Sequence, residues 1–162
     1  QRAWVESAGD RPIVPRRTIS DKKVLVIVAS NYTKSLVYFQ VLHDGGYINA
    51  DRYLQFLQDM LAEFRMKIPP WEIILQHDNA SPHIAHQISE WVDHQHITLL
   101  HQAAYSPDTN LMDRFLFRNY ESSRRGQDFD NSQEVSENLQ AFLNALTAEK
   151  LSKEFEDLKV HL

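Results

Sequence analysis

Apolar positions change period several times along this chain, and each change marks an element. Val24-Leu25-Val26-Ile27-Val28 is a β-branched run that predicts a buried strand. Residues 31–35 suit a turn, and Leu36-Val37-Tyr38-Phe39-Gln40-Val41-Leu42 predicts a second strand, so the two form a hairpin. His43-Asp44-Gly45-Gly46 breaks the pattern. Asn49 then suits a helix N-cap, and Leu54, Leu57, Leu61 and Phe64 recur at helical spacing until Pro69-Pro70. Trp71-Glu72-Ile73-Ile74-Leu75 predicts a short strand ending at Gln76-His77-Asp78-Asn79. Ser81-Pro82 opens a helix with the stripe Ile84, Ile88, Trp91 and Val92. Ile97-Thr98-Leu99-Leu100 predicts another strand. Ser106-Pro107-Asp108, with Asp108 as N-cap, starts a helix over about residues 110–123. Asn131 and Glu134 cap a final helical region, lined by Val135, Leu139, Phe142, Leu143 and Leu146 and continued by Leu151, Phe155 and Leu158.

The order is hairpin, helix, strand, helix, strand, helix, helix: a mixed α/β layout with a parallel strand–helix–strand unit in its second half. Residues 1–20 hold Gly9, Pro12 and Pro15 and predict an extended arm, leaving residues 21–162 as one domain. With 162 residues, 43% of them hydrophobic and 24% charged, the composition is that of a globular domain rather than a disordered chain. The longest apolar run, residues 24–29, is far short of the ~20 residues a membrane span needs. Neither a transmembrane segment nor a signal pattern is expected. Cysteine is absent, which excludes disulfides and thiolate metal sites and fits a reducing compartment. The first residue is Gln1, as in a piece of a longer product.

A net charge of −5 argues against a protein that simply coats nucleic acid. The distribution is more informative. Residues 1–23 carry six Lys/Arg against three Asp/Glu, and residues 128–162 carry three against eight. Between them, Arg114, Arg118, Arg124 and Arg125 face Glu121 alone. Two basic stretches therefore survive in an acidic total.

Asp78 follows an apolar strand, where carboxylates of α/β sheets often face a site, although Asp78-Asn79 is equally a good turn. Asp113 lies early in a predicted helix, where a carboxylate also favours the helix dipole. As a pair they mean more. The 34 residues between them span one helix, one strand and a turn, so adjacent parallel strands could bring both to one sheet edge. Carboxylates converging there suit Mg²⁺ or Mn²⁺, which prefer oxygen ligands and can activate a water or hydroxyl in phosphodiester cleavage. Eight histidines include His83 and His86, three apart, and His94-x-His96, but no companion ligands complete a zinc site, so they read as surface residues. His77, beside Asp78, is a candidate for orienting the site.

His77-Asp78-Asn79-Ala80-x-Pro82-His83, Tyr105-Ser106-Pro107-Asp108 and Met112-Asp113-x-Phe115-Leu116-Phe117 together resemble the core of a mariner-family transposase. Lys22-Lys23-Val24, Val37-Tyr38-Phe39, Tyr47-Ile48-Asn49-Ala50-Asp51 and Gly126-x-x-Phe129 match in the same order, as does the stretch from Glu134-Val135 to Phe142-Leu143. The resemblance covers nearly the whole chain. It implies an RNase H-like catalytic domain that cuts and rejoins DNA with three carboxylates and Mg²⁺ or Mn²⁺. Asp78 would be the second carboxylate and Asp113 the third. The first would lie on a strand upstream of Trp4-Val5, outside this chain, as would a helix-turn-helix DNA-binding region. An α/β sheet lacking that central strand, and a chain inactive or nearly so by itself, are the expectations. The chain departs from the family pattern at Ala29-Ser30-Asn31, where a Trp-Trp-Asp-like run is usual, and at Ala103-Ala104, where a Pro pair is usual. Both fit a decayed or repurposed copy.

The resemblance further implies double-stranded DNA, specifically transposon ends, as partner, with a homodimer, a nuclear location, no membrane and no small-molecule substrate. Arg16 and Arg17 on the arm suit phosphates. Arg114, Arg118 and Arg125, at helical offsets 0, 4 and 11, would share one face beside Asp113 and meet the DNA backbone there. The alternative is a domesticated, non-enzymatic remnant that binds DNA or protein.

Overall fold

A computed structural model describes residues 24–31, 36–42, 46–69, 73–103 and 106–159. The arm of residues 1–20, with Arg16 and Arg17, lies outside the described residues. The hairpin forms from β1 (Leu25–Asn31) and β2 (Leu36–Leu42), antiparallel in a register that pairs Leu25 with Leu42 and Asn31 with Leu36. Helix α1 (Ala50–Phe64) follows, then β3 (Ile74–His77), α2 (His86–His94) and β4 (Thr98–His101). β3 and β4 run parallel, pairing Ile74 with Thr98 and His77 with His101, which makes the expected strand–helix–strand unit. The described strands form two separate two-stranded ladders, β1–β2 and β3–β4, rather than one mixed sheet.

The hairpin is a wall between two cores. Because side chains alternate along a strand, Ile27, Ala29, Leu36 and Tyr38 point to one face, and Val26, Val28, Val37 and Phe39 to the other. The first face packs on α1 and α2. Tyr53, Phe56, Leu57, Met60, Leu61 and Phe64 recur at three- and four-residue spacing along α1 and are buried there with Ile88, Val92 and Ile97. Leu75 and Leu99 extend the same core under the parallel pair. The second face is covered by Leu111, Phe115, Leu116 and Tyr120 with Leu139, Leu143, Leu151 and Leu158, from helices α4 (Ser132–Ala145) and α5 (Ala148–Lys159).

Local chemistry sets the helix ends. Asn49 Oδ1 accepts from the Arg52 N–H at 2.9 Å, the predicted N-cap. Asn131 Oδ1 accepts from the Glu134 N–H at 3.0 Å while Glu134 Oε2 accepts from the Asp130 N–H at 3.0 Å, a capping box displaced by one residue. Helix α2 ends in a Schellman turn: Ile97 N–H donates to Val92 O and His96 N–H to Asp93 O, with His96 held at φ 55° where glycine is usual.

Three expectations change. The helix predicted from Ser81-Pro82 begins at His86, because residues 81–84 close a turn on Ala80 O; Ile84, placed on its apolar stripe, is 59% exposed. The helix predicted over residues 110–123 is a 3₁₀ turn (Pro107–Thr109), a π-helical segment (Met112–Phe117) and a short α3 (Arg118–Ser123). Asp108 accepts no side-chain hydrogen bond among the described residues; Asn110 Oδ1 takes the Met112 N–H instead, at 2.9 Å. The final helical region breaks at Leu146, which turns to ψ 116°, and Thr147 Oγ1 accepts from the Lys150 N–H at 3.3 Å to start α5.

Leu57 and Leu139 are almost wholly buried in different cores. Truncating either to alanine is expected to cost about 3 kcal/mol in urea unfolding, from lost transfer energy plus the cavity left behind. Since the hairpin separates them, the double variant should lose the sum to within about 0.5 kcal/mol.

Candidate metal and nucleic-acid site

Asp78 leaves the C-terminal end of β3 half exposed. Its carboxylate folds back on its own turn, where the Ala80 N–H donates to Oδ1 at 3.0 Å. His83 Nδ1 lies 2.6 Å from the same Oδ1. No described group donates to Oδ2. Among the described residues, Oδ1 thus carries both contacts and Oδ2 none.

Behind this turn sits an aromatic group. The ring of Tyr53, from α1, lies 4.0 Å from that of His83, and the His77 and His83 rings stack at 5.2 Å with 5° between their planes. Tyr53 Oη and His77 Nδ1 share a hydrogen bond of 2.8 Å. Burial pushes His77 down to about 4, helped by the nearby His83 and His101 and opposed by Asp78, so His77 is neutral at physiological pH. Burial, with the charge of Asp78, holds the Tyr53 phenol above its ordinary range. His77 thus points back to α1 and wedges His83 from behind; it makes no hydrogen bond to Asp78 itself among the described residues.

Asp113 reaches the same edge from the other core. It sits in the π-helical segment, with its neighbours Phe115 and Leu116 buried and its own side chain exposed. Loop contacts tie the two approaches together. Gln76 Nε2 donates to Thr109 O at 3.0 Å, Asn79 Nδ2 to Gln102 O at 2.9 Å, and Gln102 Nε2 to Ser106 O at 2.9 Å. Partial burial and then the charge of Asp78 raise the Asp113 carboxyl above the usual aspartate range. The charge of Asp78 thus bears on Asp113, although 34 residues lie between the two in the sequence.

Such a pair fits a divalent cation. Two like charges at one edge are relieved by a hard ion, and Mg²⁺ is commonly held by one or two carboxylates with water and phosphate oxygens completing its shell. Among the described residues no three His, Cys, Asp or Glu side chains are grouped as a cage.

The arginines part company. Arg114 is half-buried in the π-helical segment, Arg118 opens α3 and is exposed, and Arg125 lies in the turn after α3, whose last residue is Ser123. The single face drawn for the three assumed unbroken α-helix from 114 to 125. The segment is instead π-helical to Phe117, α-helical to Ser123 and a turn at Arg125, so the α-helical offsets of 0, 4 and 11 do not carry across it. Arg124 is occupied with the Tyr120 ring, 5.8 Å away, and with Glu121 at 3.9 Å. Sequence reasoning missed His83 and Tyr53 as parts of the site. Their signal was present for His83 alone: a histidine five residues past Asp78, across a proline.

The profile of the family described as DDE superfamily endonuclease matches residues 1–136. The chain is 25% identical over 150 residues to human histone-lysine N-methyltransferase SETMAR, covering 88% of this chain and 21% of that protein. It is 29% identical over 115 residues to the mariner Mos1 transposase of Drosophila mauritiana, covering 68% of this chain and 33% of that protein. It therefore spans well under half of either relative. Among solved structures, the Mos1 transposase paired-end complex with left transposon end superimposes with a TM-score of 0.87 at 26% identity, over 98% of this chain and 47% of that one. The Mos1 paired-end complex with Mn gives the same figures. The fold is thus the mixed α/β, RNase H-like fold of the Mos1 catalytic domain.

An aspartate whose carboxyl is raised on folding costs the fold stability once ionised, a cost that grows as pH rises through the carboxylate range. Asp113→Asn is therefore expected to raise the urea midpoint at pH 7. The gain should shrink to nothing in acid, where both states are protonated. A lower midpoint at pH 7 would contradict this.

Proposed function

This chain belongs to the DDE superfamily endonuclease family, and on that premise we propose that its Asp78–Asp113 edge is the metal-binding part of a mariner-like catalytic centre for DNA strand cleavage and transfer. The observation that supports the reading is electrostatic: the charge of Asp78, just after β3, bears on Asp113 of the π-helical segment, a different element 34 intervening residues away.

In this reading Asp78 and Asp113 hold Mg²⁺ or Mn²⁺ through carboxylate oxygens. A bound ion would polarise a phosphodiester and activate the attacking water or 3′ hydroxyl. The chain's own part is placement. Asp78 offers its open Oδ2 to the ion while Oδ1 stays tied to Ala80 and His83. Asp113 contributes a second carboxylate, whose elevated affinity for protons comes from partial burial and then from the charge of Asp78. Arg118, exposed one helical turn beyond Asp113, and Arg114 supply phosphate contacts on the approach to that edge. Double-stranded DNA is the partner, and a nuclear location follows from acting on chromosomal DNA. Support comes from the likeness to Mos1 complexes containing transposon ends and Mn.

A polypeptide of these 162 residues by itself brings two carboxylates to the edge. We expect Mn²⁺ binding, lost in Asp78→Ala and in Asp113→Ala, without efficient nicking of supercoiled DNA. A folded chain that binds no Mn²⁺ would replace the catalytic reading with that of a non-enzymatic interaction module. Nicking abolished by Asp113→Ala would show the two carboxylates to be sufficient. For DNA, Arg118→Ala should weaken duplex binding equally across sequences and reduce the salt slope by about 1, the signature of one phosphate contact. An unchanged slope would remove Arg118 from the interface.

A further inference from the structure

The histidine that meets Asp78 has no part in holding metal in the reading above, yet its placement is the most constrained feature of the site. His83 Nδ1 is 2.6 Å from Asp78 Oδ1, and the Ala80 N–H meets the same oxygen at 3.0 Å. A carboxylate offers only acceptors, so a bond of this length to one is made by a proton on His83 Nδ1. The ring cannot swing away easily. Tyr53 lies against one part of it at 4.0 Å, His77 stacks on it at 5.2 Å, and Tyr53 and His77 are themselves joined by a 2.8 Å hydrogen bond. Tyr53 is 4% exposed, so the whole group is anchored in the core beneath α1. Backbone contacts fix its base, with the His83 N–H on Ala80 O at 2.8 Å.

We propose that His83 is a positioning residue for the metal site: by donating Nδ1–H to Asp78 Oδ1, it reserves Oδ2 for a divalent cation and makes Asp78 a one-oxygen ligand of fixed direction. Partners of this kind orient a ligand before metal arrives, so less ordering is required on binding. The inference rests on the assignment of Asp78 as a metal ligand. It adds which oxygen binds and what holds it.

The test is Mn²⁺ titration of the 162-residue chain, followed by the electron paramagnetic resonance signal of the free ion. His83→Phe keeps a ring against Tyr53 and His77 but has no donor, whereas His83→Asn keeps a donor where Nδ1 stood. His83→Phe is expected to weaken Mn²⁺ binding about tenfold, the low end of the usual loss on removing such a partner. His83→Asn should stay within about threefold of the unmodified chain. Equal affinity in His83→Phe and the unmodified chain, with binding still abolished by Asp78→Ala, would overturn the role of His83 alone. No binding to the unmodified chain would overturn both the metal-ligand assignment and this inference. A measurement without variants guards against misfolding. Nitrogen NMR of the neutral His83 ring should show the Nδ1–H tautomer, the minor form of free histidine, and the Nε2–H form would contradict the proposal.

Discussion

The charge of Asp78 bears on Asp113, and the interactions that fix each residue hold them in place against that repulsion. Asp78 is fixed by a turn whose donors come from Ala80 and His83. Asp113 is fixed by a segment whose next residues, Phe115 and Leu116, are sunk into the second core. The strain is visible in the Asp113 carboxyl, raised by partial burial and by Asp78. Functional groups placed against the interest of stability are a familiar sign of a site. Here they separate the cost, borne at the edge, from the packing that offsets it in two cores.

The hairpin makes that division possible. With apolar residues on both faces, β1 and β2 give α1 and α2 one surface and α4 and α5 another. Short polar links, Gln76 to Thr109 and Asn79 to Gln102, then join the end of β3 to the segment that follows β4. The π-helical segment at Met112–Phe117 contributes in a way an α-helix would not. Its wider turn changes the angular spacing between Asp113 and the buried Phe115 and Leu116, and such segments occur frequently at functional sites.

Much of this was legible in the sequence where the cause is local. Asn49 and Asn131 cap the helices they precede because the cap is a bond over two or three residues. The alternation of the hairpin and the β3–β4 unit were visible as period and spacing. The Asp78–Asp113 relation needed the 34-residue spacing together with a family likeness, since neither aspartate differs locally from a turn or a helix start. Failures occur where a distant contact overrides local preference. Ser81-Pro82 has the form of a helix start, but the Asp78 turn and its bond to His83 occupy those residues. The spacing of Arg114 and Arg125 assumes an α period, which the π segment and the turn after Ser123 do not keep. Leu146 continues the apolar stripe of α4, and this hides the bend that starts α5. Nothing local in the sequence sets Tyr53 apart from a core aromatic, because its hydroxyl partner lies 24 residues away.

The central claim is that Asp78 and Asp113 form a single divalent-metal site with the coordinating oxygen of Asp78 chosen in advance. The most direct measurement is anomalous diffraction at the manganese edge from crystals of this chain grown with Mn²⁺. The account predicts one peak between the two aspartates, within coordinating distance of Asp78 Oδ2 and of Asp113, with His83 still on Oδ1. A peak on Asp78 Oδ1 with His83 displaced, or none at this edge at millimolar Mn²⁺, would contradict it.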